Sequence, residues 1–109
     1  MLPNSDRAII EPAKLRDYLL SDVHPVGRFK ARFFHAFGYR ADGWKVLHDD
    51  LLRLVVTYEA KPGQASAAGQ KFEVSGTLTG PNGRTGVIVS VWILRIGEDA
   101  PRFITAYPG

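Results

Sequence analysis

Residues 24–38 read HPVGRFKARFFHAFG, and the predicted fold is built outward from this stretch. Pro25 suits the first position of a helix, where its missing N–H group costs nothing. Gly38 suits the left-handed residue that ends a helix. The spacing between them predicts a helix over residues 25–37, with its apolar side chains on one arc at about 100° per residue. The residues on that arc are Val26, Phe29, Phe33, Ala36 and Phe37, with Phe34 at its edge.

Lys30 interrupts this apolar arc, although the other cations of the helix lie on the opposite side. A lysine that points into the body of a small domain must find a partner or carry its ammonium group to the surface. The simpler interpretations are a lysine that reaches solvent or an ion pair with Glu73. The functional interpretation is a fixed cation that neutralises a phosphate, or the charge that develops when a ribose 2′-hydroxyl attacks it.

The composition is that of one globular unit. The chain has 109 residues, of which 45% are hydrophobic and 23% charged, so it can fill one core and is not a disordered tail. No apolar run approaches the roughly 20 residues of a membrane span, and the first residues lack the apolar region of a signal peptide. Because cysteine is absent, disulfides and thiolate sites are excluded. We therefore expect a cytoplasmic protein, or a domain of a larger one, with no membrane partner.

Three helices are predicted in the first half of the chain, about residues 6–57. Pro12 begins the first helix, whose inner stripe is Leu15, Tyr18 and Leu19. Residues 25–37 form the second helix, and the third runs from Asp42, as N-cap, to about Val55. Residues 58–69 are small, polar and proline-containing, which predicts a loop.

The second half, about residues 70–108, has the signals of an antiparallel sheet. Residues 70–79 alternate, and the inner set is Phe72, Val74, Gly76 and Leu78. After an Asn-Gly turn, the β-branched run over residues 84–96 predicts a central strand covered on both faces. Residues 102–107 form the last strand, with one face made by Phe103, Thr105 and Tyr107. This order predicts an α+β domain, residues 1–109, with about three N-terminal helices on a C-terminal antiparallel sheet of three to four strands.

Motifs for metals and nucleotides are missing from the sequence. The three histidines lack paired ligand spacing, and no HExxH occurs. Neither GxxxxGK[ST] nor a GxGxxG after a strand is present, and no serine lies on a nucleophile elbow. We therefore expect neither a metal nor a cofactor.

Five polar residues remain as a candidate catalytic site, namely His24, Lys30, Arg102, Thr105 and Tyr107. His24 is held extended by the proline that follows it, and it is either a surface imidazole or an acid or base that titrates near neutrality. The three residues of the last strand are either ordinary strand residues or an arginine fork for phosphate with two hydroxyls that orient it. Lys71 on the first predicted strand could replace Arg102 in that role.

A second group of residues forms a basic surface. The net charge is +3, and the segment from Arg28 to Arg40 holds four basic residues, one histidine and no carboxylate. Arg28, Arg32 and His35 lie on the predicted outer face of the helix. A solvated helix face is the common explanation, and a surface that holds RNA or an acidic protein is the functional one.

Several motifs carry a resemblance: His24-Pro25-Val26-Gly27-x-x-Lys30-Ala31-x-Phe33-Phe34, Gly76-Thr77-Leu78-Thr79-Gly80-Pro81, and Arg102-Phe103-Ile104-Thr105-Ala106-Tyr107-Pro108. With them the chain, from about residue 6 to 109, resembles a family of bacterial domains of unknown function. Members of that family occur as stand-alone proteins and as C-terminal domains of polymorphic toxins. Their layout is similar to the metal-independent ribonuclease toxins that include barnase, EndoU, the tRNase colicins and RelE.

The resemblance implies an endoribonuclease toxin whose product carries a 2′,3′-cyclic phosphate. His24 would take the proton from a ribose 2′-hydroxyl, and Lys30 and Arg102 would stabilise the phosphorane charge. Thr105 and Tyr107 would orient the phosphate or protonate the leaving 5′-oxygen.

The same resemblance implies two partners, an RNA substrate and a small acidic antitoxin or immunity protein encoded nearby. That protein would cover the basic helix face and the site. The alternative is a non-catalytic module that binds RNA or an acidic protein through residues 25–40.

Overall fold

Helices occupy the first half of the chain and strands the second in the computed structural model, which describes residues 1–109. The helices are α1 (Pro12–Lys14), which continues into a π-helical turn (Leu15–Leu19), α2 (Arg28–His35) and α3 (Trp44–Thr57). Short 3₁₀ turns lie at Ser5–Arg7 and Ala41–Gly43. The strands are β1 (Ala60–Ser66), β2 (Gly69–Thr79), β3 (Thr85–Arg95) and β4 (Arg102–Pro108). The predicted α+β class is confirmed.

The four strands form an antiparallel meander in the order β1–β2–β3–β4. Trp92 lies at its centre, opposite Phe72 on β2 and Phe103 on β4, and it is completely buried. Its indole Nε1 donates to Ser90 Oγ at 2.9 Å, and that hydroxyl donates to the Val74 carbonyl at 2.9 Å. The polar groups under the helices are therefore satisfied without water.

The alternation predicted for β2 is confirmed, because Val74, Gly76 and Leu78 are buried beneath the helices. Gly76 is required at its position, since a Cβ there would overlap the ring of Tyr58. No helix of the structure combines the length and the apolar character needed to cross a bilayer.

Strand β3 is an interior strand, as predicted, but only one of its faces is covered. Ile88, Ser90 and Trp92 face the helices and are buried, whereas Val87 on the other face is 51% exposed. The prediction of two covered faces is wrong because β-branched residues favour any pleated strand, buried or not. The sheet therefore has one open face.

Strand β1 occupies residues 60–66, where a loop over residues 58–69 was predicted, so that prediction is wrong for these residues. Its residues are small and mostly exposed, and they leave no hydrophobic pattern. The strand exists because its backbone pairs with β2, with an irregularity between Pro62 and Ala65. Proline is tolerated there because β1 is an edge strand.

Helix α2 is shorter than predicted and presents a different face to the core. It begins at Arg28 instead of residue 25, and the buried residues are Ala31 and Phe34. Val26 and Phe29, predicted to be inside, are 55% and 71% exposed. The prediction assumed one regular helix from Pro25. Residues 22–27 form bends and turns instead, so α2 starts later and a different side of it faces the core.

Two further expectations are corrected by local geometry. Phe103 and Ala106 are both buried, because a bulge opposite Val91 and Trp92 adds one residue to β4. Thr105 therefore does not share the face of Phe103. Asp42 lies inside a 3₁₀ turn, and the N-cap of α3 is Gly43.

Tyr39 ties the segment after α2 to α3 and β2. Its hydroxyl donates to Asp50 Oδ2 at 2.6 Å and lies 3.3 Å from the Thr79 carbonyl oxygen. Asp50 also accepts from Arg53 at 2.9 Å. Burial raises the pKa of Tyr39, and the hydrogen bond and charge of Asp50 raise it further.

A group whose pKa is higher in the folded state stabilises the protein below its unfolded pKa and loses that contribution as the pH rises. For Tyr39 the loss begins at the unfolded value of about 10. We expect the free energy of unfolding, measured with urea, to decrease above that pH. Tyr39→Phe should be less stable by about 1–2 kcal/mol near neutrality and should lose most of the alkaline decrease. An unchanged decrease in Tyr39→Phe would contradict this assignment.

Candidate functional site

Lys30 lies where α2 passes the last strand, and its ammonium group joins the two elements. Nζ donates to the Tyr18 hydroxyl at 3.1 Å and to Thr105 Oγ1 at 2.8 Å. Lys30 is half-buried and forms no ion pair, so the interpretation that pairs it with Glu73 is wrong. An ammonium group held by two neutral hydroxyls retains its charge for an anion from outside.

Local backbone features bring these three side chains together. Tyr18 lies in the π-helical turn, and Gly27 packs directly against the backbone of that turn. A Cβ at Gly27 would overlap the Tyr18 carbonyl oxygen, so only glycine permits this approach. On the other side, Thr105 lies opposite Val91 at the bulge of β4.

His24 is fixed beside this group by the start of the helix. Its Nδ1 accepts hydrogen bonds from the N–H groups of Val26 at 3.0 Å and Gly27 at 2.9 Å. The imidazole ring meets the Tyr18 ring edge-on, with centroids 4.9 Å apart. Because Nδ1 is an acceptor, the neutral ring carries its proton on Nε2. The nitrogen that remains free is thus a donor.

Tyr18 completes the group and was not among the residues predicted from the sequence. Burial alone would raise the pKa of its hydroxyl. The net shift is downward, because burial is outweighed by hydrogen bonds with Lys30 and Thr105 and by the charges of Lys30 and Lys14. In the sequence, Tyr18 is one member of an apolar stripe. The only signal was its hydroxyl, which usually needs a partner in a partly buried position.

We call Tyr18, His24, Lys30 and Thr105 the Lys30 site. It is half-buried, carries one cation and no carboxylate, and combines two hydroxyls with an imidazole. Such a set can bind a phosphate group and stabilise added negative charge on it. The chain contains no cluster of three or more residues able to hold a metal ion.

Arg102 and Tyr107 have partners outside the Lys30 site. Arg102 Nε binds Glu98 at 3.0 Å and its Nη1 lies 3.4 Å from Glu11, so the guanidinium is paired at the base of β4. The Tyr107 hydroxyl donates to Glu73 Oε2 at 3.3 Å. Burial and the neighbouring Glu73 raise the pKa of Tyr107. Sequence patterns place such residues on a strand but do not show which acids approach them.

The predicted binding residues are distributed over two surfaces. Lys71 is exposed on β2 and lies opposite Ile93, away from α2. Arg28, Arg32 and His35 lie on the outer side of α2, where they line a depression of about 470 Å³. Their placement on the outer side agrees with the helical wheel.

The fold is an α+β domain in which N-terminal helices cover one face of an antiparallel meander. The whole chain, residues 1–109, matches the family described as Domain of unknown function (DUF6883), and it belongs to that family. No curated protein matches it. Among solved structures, it is similar to a chain of a contact-dependent growth inhibition toxin–immunity protein complex from Klebsiella pneumoniae 342. The TM-score is 0.70 at 18% identity, 95% of each chain is covered, and the similarity is one of fold.

The pKa of Tyr18 can be used to test the geometry of the Lys30 site. Lys30→Met removes two of the four contacts that lower this pKa, namely the hydrogen bond and the charge of Lys30, so the pKa of Tyr18 should rise. We expect an upward shift for this one tyrosine, measured by NMR with labelled tyrosine rings. Lys14→Met is the control, because Lys14 acts only through its charge and should cause a smaller shift. An unshifted Tyr18 in Lys30→Met would contradict the contact.

Proposed function

We propose that this chain is a metal-independent endoribonuclease toxin that cleaves RNA and leaves a 2′,3′-cyclic phosphate. The observation that carries the proposal is the Lys30 ammonium group, held by Tyr18 and Thr105 without a carboxylate partner. The fold similarity to a chain of a toxin–immunity protein complex supports a toxin role. The place of action would be the bacterial cytoplasm, where RNA is the substrate.

Lys30 provides the charge stabilisation in this proposal. When the 2′-oxygen attacks phosphorus, negative charge grows on the non-bridging oxygens, and a cation already in place needs no rearrangement to stabilise it. Thr105 fixes the ammonium group from the strand side at 2.8 Å. The phosphate would therefore bind on the side of the ammonium group that neither hydroxyl occupies.

The proton transfer to the leaving group is assigned to Tyr18. The 2′-hydroxyl gives its proton to water as O2′ bonds to phosphorus. The bond from phosphorus to the 5′-oxygen breaks, and that oxygen takes the proton of the neutral Tyr18 hydroxyl, whose oxygen accepts from Lys30 at 3.1 Å. The contacts that lower the pKa of Tyr18 against the effect of burial favour this transfer. Tyr18 then regains a proton from water, and the Lys30 ammonium group is unchanged.

His24 receives a different role from the general base expected from the sequence. Its Nδ1 is engaged by two backbone N–H groups, and the free Nε2 carries the proton in the neutral ring. A neutral imidazole of this kind can donate a hydrogen bond to a phosphate oxygen. Arg102 and Tyr107 have no chemical role in this proposal, because carboxylates already bind them.

A toxin requires a neutralising partner. We propose a small acidic immunity protein encoded nearby, which covers the basic outer side of α2 and the Lys30 site. Its acidic character follows from the four basic residues and the absence of carboxylates between residues 28 and 40.

The proposal is tested by Lys30→Gln, which removes the charge but keeps much of the side chain. We expect RNA cleavage by the purified protein to fall by about 10²–10⁴-fold, as for other positioned catalytic groups. Growth arrest on expression in a host cell should also disappear. Lys45→Gln, an exposed lysine on α3, is the matched control and should behave like the parent chain. Equal cleavage by Lys30→Gln and the parent would overturn the assignment.

A second candidate function is a non-catalytic module that binds RNA or an acidic protein through residues 25–40. The exposure of Val26 and Phe29 beside Arg28 and Arg32 favours it. A simple nucleic-acid binder would lose affinity steeply with salt and would cut no RNA. Cleavage by the parent chain therefore separates the two functions.

A further inference from the structure

Phe29 is the one aromatic side chain that the fold leaves exposed. It is 71% exposed, and Val26 and Val23, which precede it by three and six residues in the chain, are 55% and 86% exposed. The fold gains little from these side chains, because none of them packs in the core. Exposed apolar side chains that lie together among polar residues are a feature of binding surfaces.

Two arginines beside Phe29 have no carboxylate partner. Arg28 and Arg32 are in none of the ion pairs. The Arg28 guanidinium lies over one face of the Phe29 ring, 4.8 Å from its centre, so a base would stack on the other face. The acid nearest to them in the depression is Asp22, which lies 3.5 Å from Nδ1 of His35. The other ring nitrogen of His35, Nε2, lies 3.1 Å from the Leu20 carbonyl oxygen. The two guanidinium groups are therefore free to bind an anion.

We propose that this face of α2 binds single-stranded RNA, with one base stacked on Phe29 and flanking phosphates bound by Arg28 and Arg32. The inference rests on the proposed function in one respect, namely that the bound strand is the substrate of the Lys30 site. Neighbouring helical positions differ by about 100° in direction. Phe29 therefore points to the outer side of α2, whereas Lys30 points toward β4. The bound RNA crosses α2 between these two side chains.

The exposed Phe29 ring and the two arginines favour single-stranded RNA over duplex RNA. A base inside a duplex is stacked on both sides and cannot lie on a phenyl ring, so duplex RNA is recognised by other contacts. Stacking on an aromatic side chain accepts any base, because every base has a π-face. The depression of about 470 Å³ beside Phe29 gives the base and its sugar room outside the core.

The test measures binding separately from cleavage. A short fluorescent single-stranded RNA with every 2′-hydroxyl methylated cannot be cut by 2′-oxygen attack, and its affinity is measured by anisotropy. The variants are Phe29→Ala, Phe29→Trp and, as control, Ile96→Ala, an equally exposed apolar residue (75%) after β3. Both positions are exposed, so the fold should persist in all three variants, and circular dichroism checks it.

We expect Phe29→Ala to weaken binding of the single strand by about tenfold or more. Phe29→Trp should keep the affinity, and Ile96→Ala should match the parent chain. A duplex of the same sequence should bind more weakly and show no dependence on Phe29. If Phe29→Ala binds the single strand as tightly as the parent, the proposal is wrong, and the patch then suits a protein partner.

The same experiment separates this proposal from the nuclease assignment. Binding that depends on Phe29, together with an absence of cleavage of unmodified RNA by the parent, would retain the binding face and overturn the nuclease. Cleavage by the parent with no effect of Phe29→Ala on affinity would overturn the binding face alone.

Discussion

The hydrogen bonds of Lys30 connect parts of the chain that are 75 residues apart, and the rest of the site is arranged around them. The ammonium group bridges Tyr18 in the helical layer and Thr105 in the last strand. Hydrogen bonds to a charged group contribute roughly 1.5–3 kcal/mol, which offsets the partial burial of the charge. Neither partner is a carboxylate, so the charge of Lys30 is held in place without being neutralised.

The sequence predicts the parts of the fold in which side-chain direction repeats. Period-two alternation located β2 and its buried face, and the long β-branched run located β3. The residue spacing predicted the wrong buried face where the backbone is not a regular helix or strand. The extra residue at the β4 bulge separated Thr105 from Phe103, and the turns before α2 exposed Phe29. Strand β1 has no pattern at all, because backbone pairing with β2 is the main reason that it is a strand.

The candidate site was predictable only where the direction of a side chain on its helix or strand shows which residues it can meet. Lys30 was predicted on the inner arc and in one candidate site with Thr105, and the two side chains are in contact. Tyr18 was not predicted as a site residue because a tyrosine in an apolar stripe is usually part of the core. Arg102 and Tyr107 looked available because the sequence does not show that Glu98, Glu11 and Glu73 would approach them. The tautomer of His24 depends on backbone N–H groups, which have no sequence signature.

The most direct measurement is the chemical analysis of RNA ends after incubation with the purified chain in the presence of a metal chelator. Attack by the 2′-oxygen at the Lys30 site predicts cut RNA whose 3′ ends carry a 2′,3′-cyclic phosphate. The cut strands should also have 5′-hydroxyl ends, because the 5′-oxygen is the leaving group. Intact RNA under these conditions, or cut RNA with 3′-hydroxyl and 5′-phosphate ends, would contradict the account.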